Sequence, residues 1–218
     1  MRAILVDWLV DVHIKFKLVP ETLFLAVNIL DRYLSKVPIP RQKLQVVGVA
    51  SMLIAAKYEE IYPPEVKDFA YVTDKAYTCR EILEMEGKII GSLGFKFTHT
   101  SSLRFFQRYA DIANLDERGR CIAKYILELA LVDYPMTRHQ PSLIASAAIY
   151  LVHKLQKKEA WNEALEKASK YQESQLRSCA KEMCLLIQKA WKSNLQAVRK
   201  KYSSSKYLEV GKIQLDTM

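Results

Sequence analysis

Apolar residues recur every three or four positions along almost the whole chain, which is the spacing of one face of an α-helix. Proline and capping residues mark the boundaries: Pro20 suits a first helical turn, Pro63 and Pro64 end a helix, and Thr78 with Glu81 forms a capping box. Helices are predicted over residues 1–16, 21–35, 41–60, 65–71, 78–94, 102–113, 116–133, 141–156, 161–170 and 172–193. The predicted fold class is therefore all-α.

The first five helices match the last five at a fixed offset of 97 residues. Residues 46–48, for example, correspond in size and polarity to residues 143–145. Two copies of a five-helix unit are the economical interpretation, although two amphipathic helices can also match by chance. We predict an N-terminal domain over residues 1–97, a second domain over 98–194 and a C-terminal tail over 195–218.

Two helices stand out by their composition. The third helix of each unit is rich in Gly, Ala and Ser, which predicts that it is the central, surrounded helix. The first helix is apolar on two faces, one formed by Met1, Ile4, Leu5 and Trp8 and the other by Ala3, Val6, Val10 and Ile14. Such a helix either lies wholly in the core or buries one face and offers the other to a partner. Asp11 lies beside Ile4 and Trp8 on the helical wheel, which suits a peptide carrying a cation and a hydrophobic residue.

Composition and charge exclude several classes of protein. Half of the residues are hydrophobic and 26% are charged, which excludes a disordered chain. No stretch approaches the roughly 20 consecutive apolar residues of a membrane span. The net charge of +9 divides into +1 for residues 1–98 (13 basic, 12 acidic), +5 for 99–194 (15 and 10) and +3 for 195–218 (5 and 2). A basic balance is typical of nucleic-acid binding. The charge is nevertheless spread over helical faces without a finger motif, and we expect neither a nucleic-acid nor a membrane partner.

No catalytic or metal-binding motif is present in the sequence. It contains no Gly-rich phosphate loop, and its four histidines lack metal-ligand spacing. The four cysteines form no Cys-x-x-Cys pair, which indicates reduced thiols in a cytosolic or nuclear protein: Cys79, Cys121, Cys179 and Cys184. We therefore expect a non-catalytic binding scaffold without a metal or another cofactor.

Basic residues on two successive helices form a candidate phosphate site. Arg104 and Arg108 are one helical turn apart, as are Arg120 and Lys124 on the next helix. Adjacent antiparallel helices would bring the two pairs together, and converging guanidinium groups suit a phosphate or a phosphorylated peptide. The alternative is a solvated basic face, partly neutralised by acids: Asp111, Asp116 and Glu117.

Several motifs resemble those of mitotic cyclins, in the same order and at the same spacing. They are MRAILVDWLV at residues 1–10, LAVNILDRYL at 25–34, KLQ at 43–45 and AAKYEEIYPPE at 55–65. The resemblance is weaker in the second half, through Lys124-Tyr125 and residues 205–207. It implies two tandem five-helix cyclin boxes and a regulatory subunit that binds and activates a cyclin-dependent kinase in G2/M control.

The resemblance also assigns residues to a kinase-binding surface. The box-defining positions correspond to Arg2, Asp31, Val46, Lys57 and Glu86, where Val46 replaces the more usual Leu. Lys57 and Glu86 match the pair that contacts the mobile helix of the kinase. The full implied kinase-binding set is Lys57, Glu86, Tyr58, Phe95, Phe97, Arg2 and Asp31. A plain intramolecular salt bridge between Lys57 and Glu86 is the alternative.

A second implied site is a hydrophobic patch for Arg-x-Leu-type docking peptides of substrates and inhibitors. Its residues are Met1, Ile4, Leu5, Trp8, Asp11, Leu44, Gln45 and Asp74. One face of the first helix, formed by Met1, Ile4, Leu5 and Trp8, belongs to this set, and the helical wheel leaves that face available to a partner.

The resemblance does not decide between the A-type and the B-type cyclins. Both A-type and B-type cyclins match, and residues 15–18 and 131–134 favour the B-type. Mitotic cyclins carry a destruction box in a long N-terminal region, so we expect this sequence to represent the cyclin-box core. The expected location is the nucleus and the cytoplasm. A general-initiation transcription factor with the cyclin fold, binding DNA through basic repeat surfaces, is the competing interpretation.

Overall fold

The computed structural model describes residues 1–214, and over this range the chain forms eleven α-helices and no strand. The helices are α1 (Arg2–Lys15), α2 (Pro20–Leu34), α3 (Leu44–Glu59), α4 (Val66–Val72), α5 (Cys79–Leu93), α6 (Ser102–Ile112), α7 (Glu117–Val132), α8 (Pro141–Leu155), α9 (Glu163–Ser169), α10 (Glu173–Ala190) and α11 (Ala197–Tyr202). Short 3-10 helices lie at Arg41–Lys43, Tyr134–Arg138, Ser205–Tyr207 and Val210–Lys212. The all-α prediction is confirmed.

The chain forms two compact units, Met1–His99 and a second that begins at Thr100. In the first unit α3 packs against α1, α2, α4 and α5. Every residue of α3 from Val46 to Ala56 is buried, as its small and apolar composition predicts. Gly48 allows α1 to approach α3 closely, because a Cβ atom there would lie 2.9 Å from Cδ1 of Leu5.

The second unit repeats this arrangement around α8. This helix packs against α6, α7, α9 and α10, and its residues from Ala145 to His153 are all buried. The predicted central position of the third helix in each repeat is therefore confirmed.

The segment predicted as a tail, 195–218, is folded as far as residue 214. Helix α11 packs on α7, and the side chains of Val198, Tyr202 and Val210 are buried. The described part of this segment thus belongs to the second unit, and residues 215–218 lie outside the described range.

Helix ends differ from the predicted ends by a few residues, for local reasons. Helix α3 begins at Leu44, because Arg41–Lys43 forms a 3-10 turn. Helix α9 begins at Glu163, since the Asn162 side chain accepts a hydrogen bond from the backbone of Leu165. Between residues 1 and 214, no helix has both the length and the apolar character needed to cross a bilayer.

Candidate functional site

Lys57 and Glu86 form an ion pair at the surface of the first unit. Lys57 lies in the last turn of α3, and its Nζ donates to both carboxylate oxygens of Glu86 on α5, at 2.8 and 2.9 Å. The Lys57 side chain is 49% exposed, whereas that of Glu86 is 11% exposed. An ammonium group has three N–H donors, so one remains to bond a partner's carbonyl oxygen. The pair is intramolecular, and it also presents a fixed cation to solvent.

Three aromatic side chains of the first unit form a cluster that includes Tyr58, the residue after Lys57. The rings of Tyr58 and Phe95 each contact the ring of Phe97 edge-on, with centroids 6.4 Å apart in both cases. Tyr58 and Phe95 are exposed, but Phe97 is buried. Phe97 therefore supports the other two rings, and its own surface is largely unavailable to a partner.

Two apolar residues that the sequence reasoning missed follow α3 directly. Ile61 is 87% exposed and Tyr62 is 91% exposed, the highest values among the large hydrophobic side chains described. Their signal was present in the sequence, because Pro63 and Pro64 stop the helix there and leave the preceding apolar residues in a surface loop.

Arg2 and Asp31 form a bidentate pair that joins α1 to α2. Arg2 donates from Nε to Oδ1 at 2.7 Å and from a terminal guanidinium nitrogen to Oδ2 at 2.8 Å. The Arg2 side chain is mostly buried. Bidentate geometry of this kind fixes the angle between the two helices. The kinase-binding role of Arg2 and Asp31 stays a prediction.

A groove of about 190 Å³ runs along α1 and the start of α3. Its lining includes six of the eight residues of the implied docking patch: Met1, Ile4, Leu5, Trp8, Leu44 and Gln45. The middle of the opposite face of α1 is core, with Val6 and Val10 completely buried, whereas Ile14 near the end of the helix is exposed. Of the two alternatives for this helix, the structure shows the second: one face is buried and the other lines a surface groove.

The two acidic members of the patch lie outside the groove. Asp11 and Asp74 are exposed, and neither lines the groove. Arg41 does line it, although the sequence reasoning did not single it out. Arg41 reaches the groove because the 3-10 turn before α3 brings it beside Leu44, and such a turn leaves no clear signal in a sequence.

The candidate phosphate site of Arg104, Arg108, Arg120 and Lys124 lies on α6 and α7. Helix α6, which carries Arg104 and Arg108, packs mainly on α8 rather than along α7. Arg120 turns back to the end of α6, where it donates to Asp111 at 2.8 Å and to the carbonyl oxygens of Ala110 and Leu115. A phosphate would have to compete with Asp111, and the site, including Lys124, stays a prediction.

Within residues 1–214, no three His, Cys, Asp or Glu side chains are grouped to hold a metal ion. The buried histidines contact backbone carbonyl oxygens: His13 that of Val19, and His153 that of Ala160. Burial raises the pKa of the Cys179 thiol to about 12, so this sulfur stays protonated at neutral pH.

Known proteins similar to this chain are cyclins. Residues 1–98 match the family described as "Cyclin, N-terminal domain", and residues 100–216 match "Cyclin, C-terminal domain". The G2/mitotic-specific cyclin-B of Dictyostelium discoideum is 46% identical over 215 residues, which cover 98% of this chain and 49% of that protein. The corresponding cyclin-B of Spisula solidissima is 48% identical over 213 residues, covering 98% and 50%. Cyclin-A1-1 of Arabidopsis thaliana is 44% identical over 219 residues, covering 97% and 48%.

Two solved structures have a fold similar to that of this chain. A viral cyclin from herpesvirus saimiri has a TM-score of 0.75 at 22% identity, with 85% of each chain covered. A chain of the CAK complex of Chaetomium thermophilum bound to ATP-gamma-S has a TM-score of 0.59 at 17% identity, covering 96% of this chain and 72% of that one. The chain spans about half the length of the curated relatives it matches. From its two matched domains and these identities, the chain belongs to the cyclin family, with one cyclin domain in each of its two helical units.

Proposed function

We propose that this chain is a regulatory subunit that binds and activates a cyclin-dependent protein kinase in G2/M control, without contributing a catalytic atom. The family membership and the relatives named G2/mitotic-specific cyclin-B support this function. The observation that carries it is the Lys57–Glu86 pair, which holds a half-exposed ammonium group at the surface of a unit that also exposes the rings of Tyr58 and Phe95.

The pair suits the end of a partner helix. The last carbonyl groups of any α-helix lack partners within the helix, and a fixed ammonium donor satisfies them. Glu86 holds the Lys57 ammonium in place before binding, so little side-chain entropy is lost when the partner arrives. Exposed apolar side chains of the same unit are available to add buried area: Tyr58, Phe95, Ile61 and Tyr62.

Activation follows from the requirements of kinase catalysis. A protein kinase needs its Lys–Glu ion pair assembled and its activation loop ordered. A rigid partner that binds only the assembled state shifts the population towards it, and a nearly complete shift takes about 5.5 kcal/mol of differential affinity.

The double substitution Lys57→Ala/Glu86→Ala tests the proposal. The partner kinase is first identified by co-purification and mass spectrometry, and its activity is then measured with each variant. We expect the double variant to keep its helical circular dichroism and to lose kinase binding and stimulation. The matched control is Arg80→Ala/Glu84→Ala, which removes an exposed ion pair on the same helix α5. Undiminished stimulation by the Lys57/Glu86 variant contradicts the assignment.

The groove on α1 is proposed as the docking site for Arg-x-Leu-type peptides of substrates and inhibitors. Its apolar lining by Met1, Ile4 and Trp8 supports an aliphatic anchor in the peptide. The location in nucleus and cytoplasm belongs to the same proposal, and a fluorescent fusion followed through the cell cycle tests it. The comparisons give no support to the DNA-binding alternative.

A further inference from the structure

The outward face of α10, in the second unit, is basic over its whole length. The exposed residues of this helix and the turn after it are Ser174, Gln175, Arg177, Ser178, Lys181, Leu185, Lys189, Trp191 and Lys192. None of them is acidic. We call the face formed by Arg177, Lys181, Leu185, Lys189 and Lys192 the α10 ridge.

The two acids of α10 neutralise only one cation of the ridge, Arg177. Glu173, in the first turn, accepts hydrogen bonds from Arg177 and from the Tyr150 hydroxyl. Glu182 is bonded by Arg138 and His139, which belong to the loop before α8. Lys181, Lys189 and Lys192 form no ion pair with any residue in the range 1–214. The ridge therefore keeps at least three uncompensated positive charges.

A single apolar side chain lies at the centre of the ridge. Leu185 is 43% exposed and stands four residues after Lys181 and four before Lys189, so the three side chains lie in one row. The row extends over about 16 Å from Lys181 to Lys192 at 1.5 Å per residue.

We infer that the α10 ridge docks an acidic protein segment that carries one apolar side chain. Its carboxylates would pair with Lys181, Lys189 and Lys192, and its apolar residue would cover Leu185. The ridge belongs to the second unit, whereas the Lys57–Glu86 pair and the groove on α1 belong to the first.

The ridge fits a protein segment better than the two other kinds of anionic partner. Single-stranded nucleic acid needs free aromatic faces on which bases stack. The only aromatic residue at the exposed end of α10 is Trp191, and within the described chain its ring is covered by the Arg199 guanidinium at 3.7 Å. A membrane surface needs several large apolar residues along the helix, and the ridge has one.

Fluorescence anisotropy with a labelled model peptide tests the inference on the whole chain. The probe is a helical peptide of about 16 residues that repeats Glu at four-residue spacing around one central Leu. We expect it to bind the wild-type chain, and to bind Lys181→Glu/Lys189→Glu at least about tenfold more weakly, since two attractive charges become repulsive. Leu185→Ala should weaken binding about fivefold, through loss of the apolar contact.

The control variant, Lys157→Glu/Lys170→Glu, changes the net charge equally at exposed lysines outside the ridge, and its affinity should equal that of the wild type. Equal losses in the two charge-reversal variants, or an unchanged affinity in Leu185→Ala, would overturn the inference, because either result indicates unspecific attraction. It is also overturned if an oligonucleotide or an anionic vesicle of equal charge binds the ridge as tightly as the peptide does. Kinase stimulation should be the same in all of these variants, so a failure here is distinguishable from a failure of the proposed function.

Discussion

Glu128 on α7 is a carboxylate almost without access to water. Its side chain is 3% exposed and accepts hydrogen bonds from Lys201 Nζ at 2.6 and 2.8 Å and from the Tyr202 hydroxyl at 2.8 Å. Burial, together with the negative charge of Glu128, raises the pKa of Tyr202 well above its ordinary value, so the hydroxyl remains a donor at neutral pH. These bonds fasten α11 to α7.

We predict that Glu128→Gln lowers the free energy of unfolding by about 3–5 kcal/mol, because it leaves the buried ammonium of Lys201 without a countercharge. Chemical denaturation followed by circular dichroism measures the change. The control is Glu163→Gln, which breaks an exposed pair with Lys167 and should cost less than about 0.5 kcal/mol. Equal effects of the two substitutions would contradict the prediction.

At the scale of the element, α1 carries two different surfaces. Leu5 belongs to the groove lining but is itself buried against α3, whereas Met1 and Ile4 are more than half exposed. Substituting Leu5 would disturb the packing as well as the groove. The groove is therefore tested at Ile4 and Trp8.

We predict that Ile4→Ala/Trp8→Ala weakens binding of an Arg-x-Leu-type peptide by about 1–3 kcal/mol for each anchor. Stimulation of the kinase towards a short substrate without the motif should not change. Isothermal titration calorimetry and a kinase assay measure the two effects. Ile14→Ala is the matched control, since Ile14 is exposed on the same helix but does not line the groove. A parallel fall of both activities would show that the groove is only packing surface.

Glu182 on α10 forms ion pairs with two consecutive residues that precede α8, Arg138 and His139. Glu182 accepts from Arg138 at 2.7 Å and from His139 at 3.1 Å. Burial by itself would raise the pKa of the Glu182 carboxyl, but the hydrogen bonds and charges of His139 and Arg138 outweigh it and lower the pKa below 4.5. The stabilisation is therefore complete above about pH 4.5 and is lost as the pH falls through the folded-state pKa.

We predict that Glu182→Gln lowers the free energy of unfolding at pH 7 by about 1 kcal/mol and flattens its acid dependence below pH 4.5. Denaturation curves at a series of pH values provide the measurement. Glu166→Gln serves as the control, because Glu166 forms no ion pair within residues 1–214. If the variant keeps the acid slope of the wild type, these ion pairs do not supply it.

At the scale of the whole molecule, the second unit depends on chain that follows its five-helix repeat. The backbone around Gly211 lies against α11 so closely that a Cβ atom there would be 2.5 Å from the carbonyl oxygen of Arg199. Val210 beside it is completely buried. This segment completes the packing around α7.

We predict that Gly211→Ala destabilises the chain by about 1–3 kcal/mol, because the backbone must move to admit the methyl group. Gly91→Ala is the opposite control: Gly91 lies in helix α5 with open space where its Cβ would be, and the substitution should stabilise by up to about 1 kcal/mol. Thermal unfolding measures both. Destabilisation of equal size at the two positions would contradict the packing argument.

The sequence by itself determined the number and type of the first ten helices, their approximate ends, and which helix is central in each unit. These follow from information within one turn of helix: apolar spacing, Pro20 at a first turn, the Thr78 capping box and the small residues of α3 and α8. The groove residues of α1 share a face at helical spacing, so their grouping was also predictable. The family motifs grouped Lys57 with Glu86 as kinase contacts, and the ion pair between them was the stated alternative.

Only the tertiary structure decided contacts between residues far apart in sequence. Glu128 and Lys201 are separated by 73 positions, and a buried ion pair leaves no periodic signal in either segment. The same reason explains why Arg41 in the groove and the folding of α11 onto α7 were missed. The phosphate site predicted from Arg104, Arg108, Arg120 and Lys124 stays a prediction, and the sequence did not show that α6 packs mainly on α8 or that Arg120 pairs with Asp111. Helix formation depends on neighbours in the chain, but which helices pack together depends on how the whole apolar surface of each unit is buried.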